Sequence, residues 1–418
     1  MPIRSGLRRA FATVAGASVV MLAVAGCSAG ESVEIDLPAQ VEGAFPADTQ
    51  SQLEAAVTFA MAATGSTGAI VGVSSPWSGS WVAGVGDASV DDAFRVADLT
   101  RPMICDVLYD MVATGTVSLD DEVRDYVPSV AGLDDVTLGM LCDGTSGLGS
   151  YAPVLQAEWL ELPARVWNPN ELVAYGTAGF DPSTAGTTWR DSDTGYVLLG
   201  LALENAAKES AATLLQDDVF GPLGLTGTRL PDRVAAPAGD PVLTGTLSTP
   251  GADGALNCAE PADVTTLSAS IGFTNAGVVS TIADVQRYVQ ALAAGALTPD
   301  DVDRFANPIV MDPALPSWLT TAGGAVQAGS LVGQFGSMPG YISAAFADPA
   351  TGMTVAVVLN NSAASDLLGA YLAWELAAIA SKAPAAAGET APDAGLPWTA
   401  QQYHDAIAGA AVCPLPAG

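Results

Sequence analysis

The segment Phe94-Arg95-Val96-Ala97-Asp98-Leu99-Thr100-Arg101-Pro102-Met103 sets a carboxylate and a guanidinium three positions apart, just ahead of an apolar run. On a helix that spacing is nearly one turn, so the two side chains share a face. Asp98 has two readings. A carboxylate can serve as a nucleophile, and an Asp at a helix start is also a favoured N-cap, with Arg101 as its charge partner. Arg101 has one: an arginine keeps its proton inside a protein and cannot act as a base. Two further carboxylates, Asp191 and Asp193, flank Ser192 directly before the apolar stretch Gly195 to Gly200.

These residues need elements to hold them. Asp48 to Ala63 reads as a helix, with Leu53, Val57 and Met61 on one face. Gly68–Val73 and Ser80–Ala83 read as a hairpin, with Pro76 and Gly79 in the connection. A helix is expected over Asp98–Thr114, with Pro102 in or near the first turn, where its missing N–H does least harm. Helical and loop segments continue to about residue 300. Strands return at Ser343–Asp348 and Met353–Asn360, followed by a helix over Asp366–Ser381. Strands from both ends with helices between them predict an α+β fold. One antiparallel sheet is closed by the N- and C-terminal segments and flanked by helices, with a mainly helical region inserted. The tail 382–418, rich in Ala, Pro and Gly, is expected to be extended.

Several blocks then follow one another in a specific order. They are Thr114 to Val123, Val136 to Leu148 (which contains Thr145-Ser146-Gly147-Leu148), Gly195-Tyr196-Val197-Leu198-Leu199-Gly200, Phe220 to Thr228, Ala276 to Asp284 and Gly336 to Tyr341. In this order and spacing the chain resembles the β-lactamase-related serine hydrolases, a family that includes class C β-lactamases, D-alanyl-D-alanine carboxypeptidases and related esterases. The resemblance implies a β-lactamase/transpeptidase-like fold and places Asp98 at the nucleophilic serine and Arg101 at the lysine. Asp191 and Asp193 fall at the tyrosine and asparagine of the second motif. Gln334-Phe335-Gly336 fall on the third, where only Gly336 matches, and Gly144 replaces a frequent histidine. No lysine or histidine stands at a motif position to activate Ser146 or Ser192. The expectation is a member without the family's catalytic residues. It would bind a cell-wall peptide, a small ligand or a protein partner in the cleft; the alternative is a hydrolase working through non-standard residues. Carboxylates gathered at Asp98, Asp191 and Asp193 would raise one another's pKa unless a cation sits among them. Arg101 is the candidate, a metal ion or basic ligand the alternative.

Arg4, Arg8 and Arg9 precede an apolar run, Ala10–Ala25, which ends in Val24-Ala25-Gly26-Cys27-Ser28, similar to a bacterial lipobox. That resemblance implies a signal peptide over 1–26, lipidation of Cys27, a polar tether over 27–45 and a domain over 46–381 on the outer face of a cell membrane, anchored by lipid alone. An ordinary signal peptide and an uncleaved anchor stay open. Net charge is −31, which argues against nucleic acid and anionic lipid as partners. Cys105, Cys142, Cys258 and Cys413 allow three disulfide connectivities or free thiols. The family resemblance favours Cys105 with Cys142, both flanking its cleft, which leaves Cys258 with Cys413. Cysteine spacing unlike a zinc site, and a single histidine, His404 in the tail, predict no metal; no cofactor is expected either.

Overall fold

The computed structural model describes residues 32–177, 185–251, 254–300, 302–393 and 395–415. Cys27 and the segment before it lie outside these residues. Ser32–Gly418 is one compact unit. Its centre is an eight-stranded antiparallel sheet in the order β2-β1-β10-β9-β8-β7-β6-β5. The strands are β1 Gly68–Ser75, β2 Gly79–Gly86, β5 Ile309–Val310, β6 Leu319–Ala322, β7 Ala325–Ala328, β8 Leu331–Met338, β9 Tyr341–Ala347 and β10 Thr354–Leu359. The first strand pairs directly with the last, Ile70 opposite Val358 and Val71 opposite Val357, and carries β2 on its other edge, so the two ends of the chain close the sheet. A short separate pair, β3 Phe94–Arg95 with β4 Val279–Ser280, leads into the Asp98 segment.

Every residue of β1, β9 and β10 is buried, which hides the strand alternation in the sequence. The period-two pattern still sorts them between two cores. Ala69, Val71, Val73, Val355, Val357 and Leu359 face α1 Ala47–Thr64 and α5 Leu367–Ala380, while Ile70, Ala356 and Val358 join the core built with the inserted helices. On that second face α4, Ile282–Ala294, comes so close that a Cβ at Gly72 would meet the Gln286 side chain at 2.5 Å. Among the described residues no helix is long and apolar enough to cross a membrane.

Two local expectations need correction. Asp98 is not the N-cap of its helix. Ala97–Leu99 forms a 3₁₀ turn, α2 spans Thr100–Ala113, and the residue before it, Leu99, makes no side-chain cap. Ala97 sits at φ 51°, left-handed backbone that costs a non-glycine residue energy, in the residue just before Asp98. The tail is not extended throughout: Ala400–Gly409 is a helix, α6, capped by Thr399. Its Tyr403 and Ile407, one turn apart, are buried in the α1/α5 core, and Trp398 Nε1 donates to the Trp374 carbonyl. The segment 32–45 has no regular structure but lies on the body, with Val33 N–H bonded to the Pro222 carbonyl and Phe45 buried.

Candidate functional site

The structure gathers Asp98, Arg101, Asp191 and Asp193 at one point. Asp98 and Arg101 come from the 3₁₀ turn and the first turn of α2. Asp193 is the first residue of α3, Asp193–Ala207, whose N-cap Ser192 accepts from Gly195 N–H. Each nitrogen of the Arg101 guanidinium has a partner. Its Nε donates to Asn275 Oδ1 at 2.9 Å, Nη1 to Asp191 Oδ1 at 2.6 Å and Nη2 to Asp193 Oδ1 at 3.0 Å. Nη2 also lies 3.1 Å from Asp98 Oδ2. Below the plane the Tyr196 ring centroid is 4.9 Å from Cζ, and the Tyr196 hydroxyl donates to the Cys142 carbonyl. Asn275 closes the circuit by donating from Nδ2 to Asp193 Oδ1 at 3.2 Å.

One cation thus faces three carboxylates, and burial decides how the charge is shared. Asp191 has a side chain 53% exposed, whereas Asp98, Asp193 and Arg101 are buried. Burial pushes the Asp98 carboxyl well above the usual carboxylate range; Arg101 pulls it down, but Asp191, Asp193 and Asp366 add to the rise. Asp193 is raised by burial and by Asp191, against the pull of Arg101. Burial opposes the Arg101 charge, but the three carboxylates outweigh it and the guanidinium is held above its ordinary value. Arg101 is thus the group that offsets the burial of both Asp98 and Asp193.

Gln334, Phe335 and Gly336 lie on β8 beside this cluster. A Cβ at Gly336 would meet Asp98 Cγ at 2.3 Å, so only glycine lets β8 pack over the aspartate. Gln334 is tied to the backbone, its Nε2 to the Gly324 carbonyl and its Oε1 to the Phe335 N–H. Phe335 packs into the α1/α5 core and also lines the cavity beside Asp98. At Gly144 a side chain would run into Trp189 Nε1 at 2.8 Å. Ser192 Oγ donates to the Gly149 carbonyl, and neither it nor Ser146 is bonded to a basic side chain. Cys105 and Cys142 form a disulfide between α2 and the helix Leu138–Cys142, close behind the cluster; Cys258 and Cys413 join the tail to the 251–261 loop.

The cluster separates two cavities. One, of about 270 Å³, holds Asp98, Arg101, Asp191, Asp312 and Asp366 with Trp189 at its wall. The other, of about 200 Å³, lies between Tyr151, Trp159, Asp193, Asn275, Ile271 and Met338. No described residue of the 251–261 loop lines either. Sequence reading did not identify Asn275, Asp312, Asp366 or Tyr151 as site residues. Tyr196 was visible within its Gly-Tyr-Val-Leu-Leu-Gly block; nothing local marks Asn275.

Three comparisons bear on this arrangement. The fold is similar to that of the solved D-stereospecific amidohydrolase from Streptomyces sp., 26% identical with a TM-score of 0.68 over 77% of this chain and 96% of that one. The D-alanine carboxypeptidase AmpC from Burkholderia cenocepacia, 18% identical with a TM-score of 0.58 over 79% and 98% of the two chains, shares the fold. Penicillin-binding protein 4* of Bacillus subtilis (strain 168) is 29% identical over 146 residues, 34% of this chain; the match spans only about a third of that relative's length, 32%. The family model named Beta-lactamase matches residues 53–378, most of the chain and all of the cluster, and the chain belongs to that family.

Proposed function

We infer that this chain is a binding member of the family, exported, held at the outer face of a membrane through Cys27, and without serine-hydrolase chemistry. The observation that carries the reading is that every guanidinium nitrogen of Arg101 is held by a carboxylate or amide. A nucleophile needs a base that can take its proton, with a pKa near the working pH. At the lysine position stands a group that cannot be deprotonated and whose Nε and both Nη atoms are already committed. The chain has two lysines, Lys208 and Lys382, and one histidine, His404; none lines either cleft cavity. Removing members of such a constellation costs about 10⁶ in turnover, leaving binding and oxyanion stabilisation.

The cleft retains the features of a binding site: an apolar chamber with amide and hydroxyl groups next to an acidic one. Likeness to a D-stereospecific amidohydrolase supports a cell-wall peptide with a D-residue as the ligand class. The acidic chamber would receive an amino group, since Asp191, Asp312 and Asp366 line it against one already paired arginine. The test is labelling of residues 28–418 with a fluorescent penicillin and a fluorophosphonate, followed by peptide mapping. No adduct with either is expected. A stoichiometric adduct would overturn the reading in favour of hydrolysis through a non-standard nucleophile, and the mapped residue would name it.

A further inference from the structure

Three arginines are buried in the described residues, Arg95, Arg101 and Arg304. Arg101 has its three carboxylates, and Arg304 pairs with Asp106. Arg95 has none. It is 2% exposed, its Nη2 donates to the carbonyls of Ala236 and Leu267, and its Nε is buried with no partner. The omission is unexpected in a chain with 45 acidic residues and 14 basic ones, where every arginine has a surplus of carboxylates to choose from. Buried charges are ordinarily paired, because an isolated one keeps its desolvation cost. Burial accordingly holds the Arg95 guanidinium below its ordinary value.

Although Arg95 is three residues from Asp98, its side chain does not enter the cleft. It lines a separate cavity of about 170 Å³, and a second guanidinium, Arg229, lines the same space. Arg229 donates from Nη2 to the Ala238 carbonyl at 2.7 Å and makes no ion pair. The one carboxylate on the lining, Asp232, is exposed and bridges to neither arginine. The remaining wall is short and apolar, with Val234, Ala236 and Ala269. Two guanidinium forks, one with a free buried N–H, and small apolar side chains opposite them match a carboxylate with a short tail.

We propose that this cavity is an anion site for a small carboxylate, bound between Arg95 and Arg229 with its tail against Val234 and Ala269. The site is independent of the cleft and of the reading given for it. The test uses the 28–418 chain with sodium acetate replacing sodium chloride at constant ionic strength, so that general screening of the large negative charge stays fixed. Acetate is expected to raise the thermal midpoint saturably and to give a binding isotherm by calorimetry. R229Q, at an exposed position, should weaken that binding at least tenfold, and V234W, also exposed, should block the cavity with the same result. A flat or falling midpoint as acetate replaces chloride overturns the proposal, as does a saturable response that both variants keep. Circular dichroism of each variant establishes that it is folded before its titration is compared.

Discussion

Replacing Arg101 with methionine tests whether the cluster is held together as the geometry indicates. The change keeps most of the aliphatic volume but removes the cation that Asp98, Asp191 and Asp193 share. Asp191 is half in solvent and loses little; Asp98 and Asp193 are left as buried carboxyls without a counter-charge. Breaking a buried pair from one side costs about 3–5 kcal/mol, a large part of the roughly 5–15 kcal/mol that holds a typical domain folded. At about 2.1 cal/mol/K per residue over roughly 390 residues, the unfolding entropy is about 0.8 kcal/mol/K, so the midpoint should fall by about 4–6 °C at pH 8.

The pH dependence separates this account from a simple packing defect. With Arg101 gone, the native-state pKa values of Asp98 and Asp193 rise further above their unfolded values. The native state then binds more protons than the unfolded one, and stability falls as pH rises through the raised native values. The penalty should therefore be largest at pH 8 and shrink towards pH 5, by up to about 1.4 kcal/mol per unit for each additional proton taken up. Denaturant melts of wild type, R101M, D98N and R101M/D98N at both pH values form the assay. D98N in the R101M background should recover part of the loss at pH 8 and almost none at pH 5. A penalty below about 1 kcal/mol, the level of an exposed pair, or one equal at both pH values, would refute the argument.

Other expectations follow from neighbouring contacts. G336A puts a methyl into the space of Asp98 Cγ and should destabilise by about 1–3 kcal/mol, read from the urea midpoint. C105A/C142A opens a loop with a sequence separation of 37, for which chain entropy gives about 4 kcal/mol in the same assay. Both of these cysteines are buried, whereas Cys258 is partly accessible, so mild reduction followed by alkylation and mass spectrometry should mark Cys258 and Cys413 first. Asp218 is pushed up to about 7 by burial, with Asp110, Asp217 and Glu209 adding to it. Its native value lies above its unfolded one, so its contribution is most favourable below about pH 4 and is lost as pH rises to about 7. D218N should raise the thermal midpoint more at pH 8 than at pH 5; equal shifts would contradict the assignment.

How much of this was legible in the sequence depended on the range of the interaction. The Asp98–Arg101 spacing is local, and a helical turn brings the pair together whatever surrounds it. The N-cap reading of Asp98 was equally local and failed, because the chain turns through left-handed Ala97 and directs the carboxylate at Arg101 rather than at the helix N–H groups. Composition misled in the tail: its Ala, Pro and Gly content suggested an extended chain, while Tyr403 and Ile407 at helical spacing carried the stronger signal. Asn275 could not be found at all, since it stands 174 residues from Arg101 and only the tertiary fold brings its amide to Nε. That convergence bears on the proposed loss of chemistry. Three segments supply Arg101 with Asp98, with Asp191 and Asp193, and with Asn275, and Asn275 also satisfies Asp193. Substitutions accumulated one at a time without constraint would leave a buried charge or amide unpaired, at about 1–3 kcal/mol or more each. A closed network across three segments instead requires each partner to suit the others, as expected if the cluster keeps the cleft in shape for a ligand.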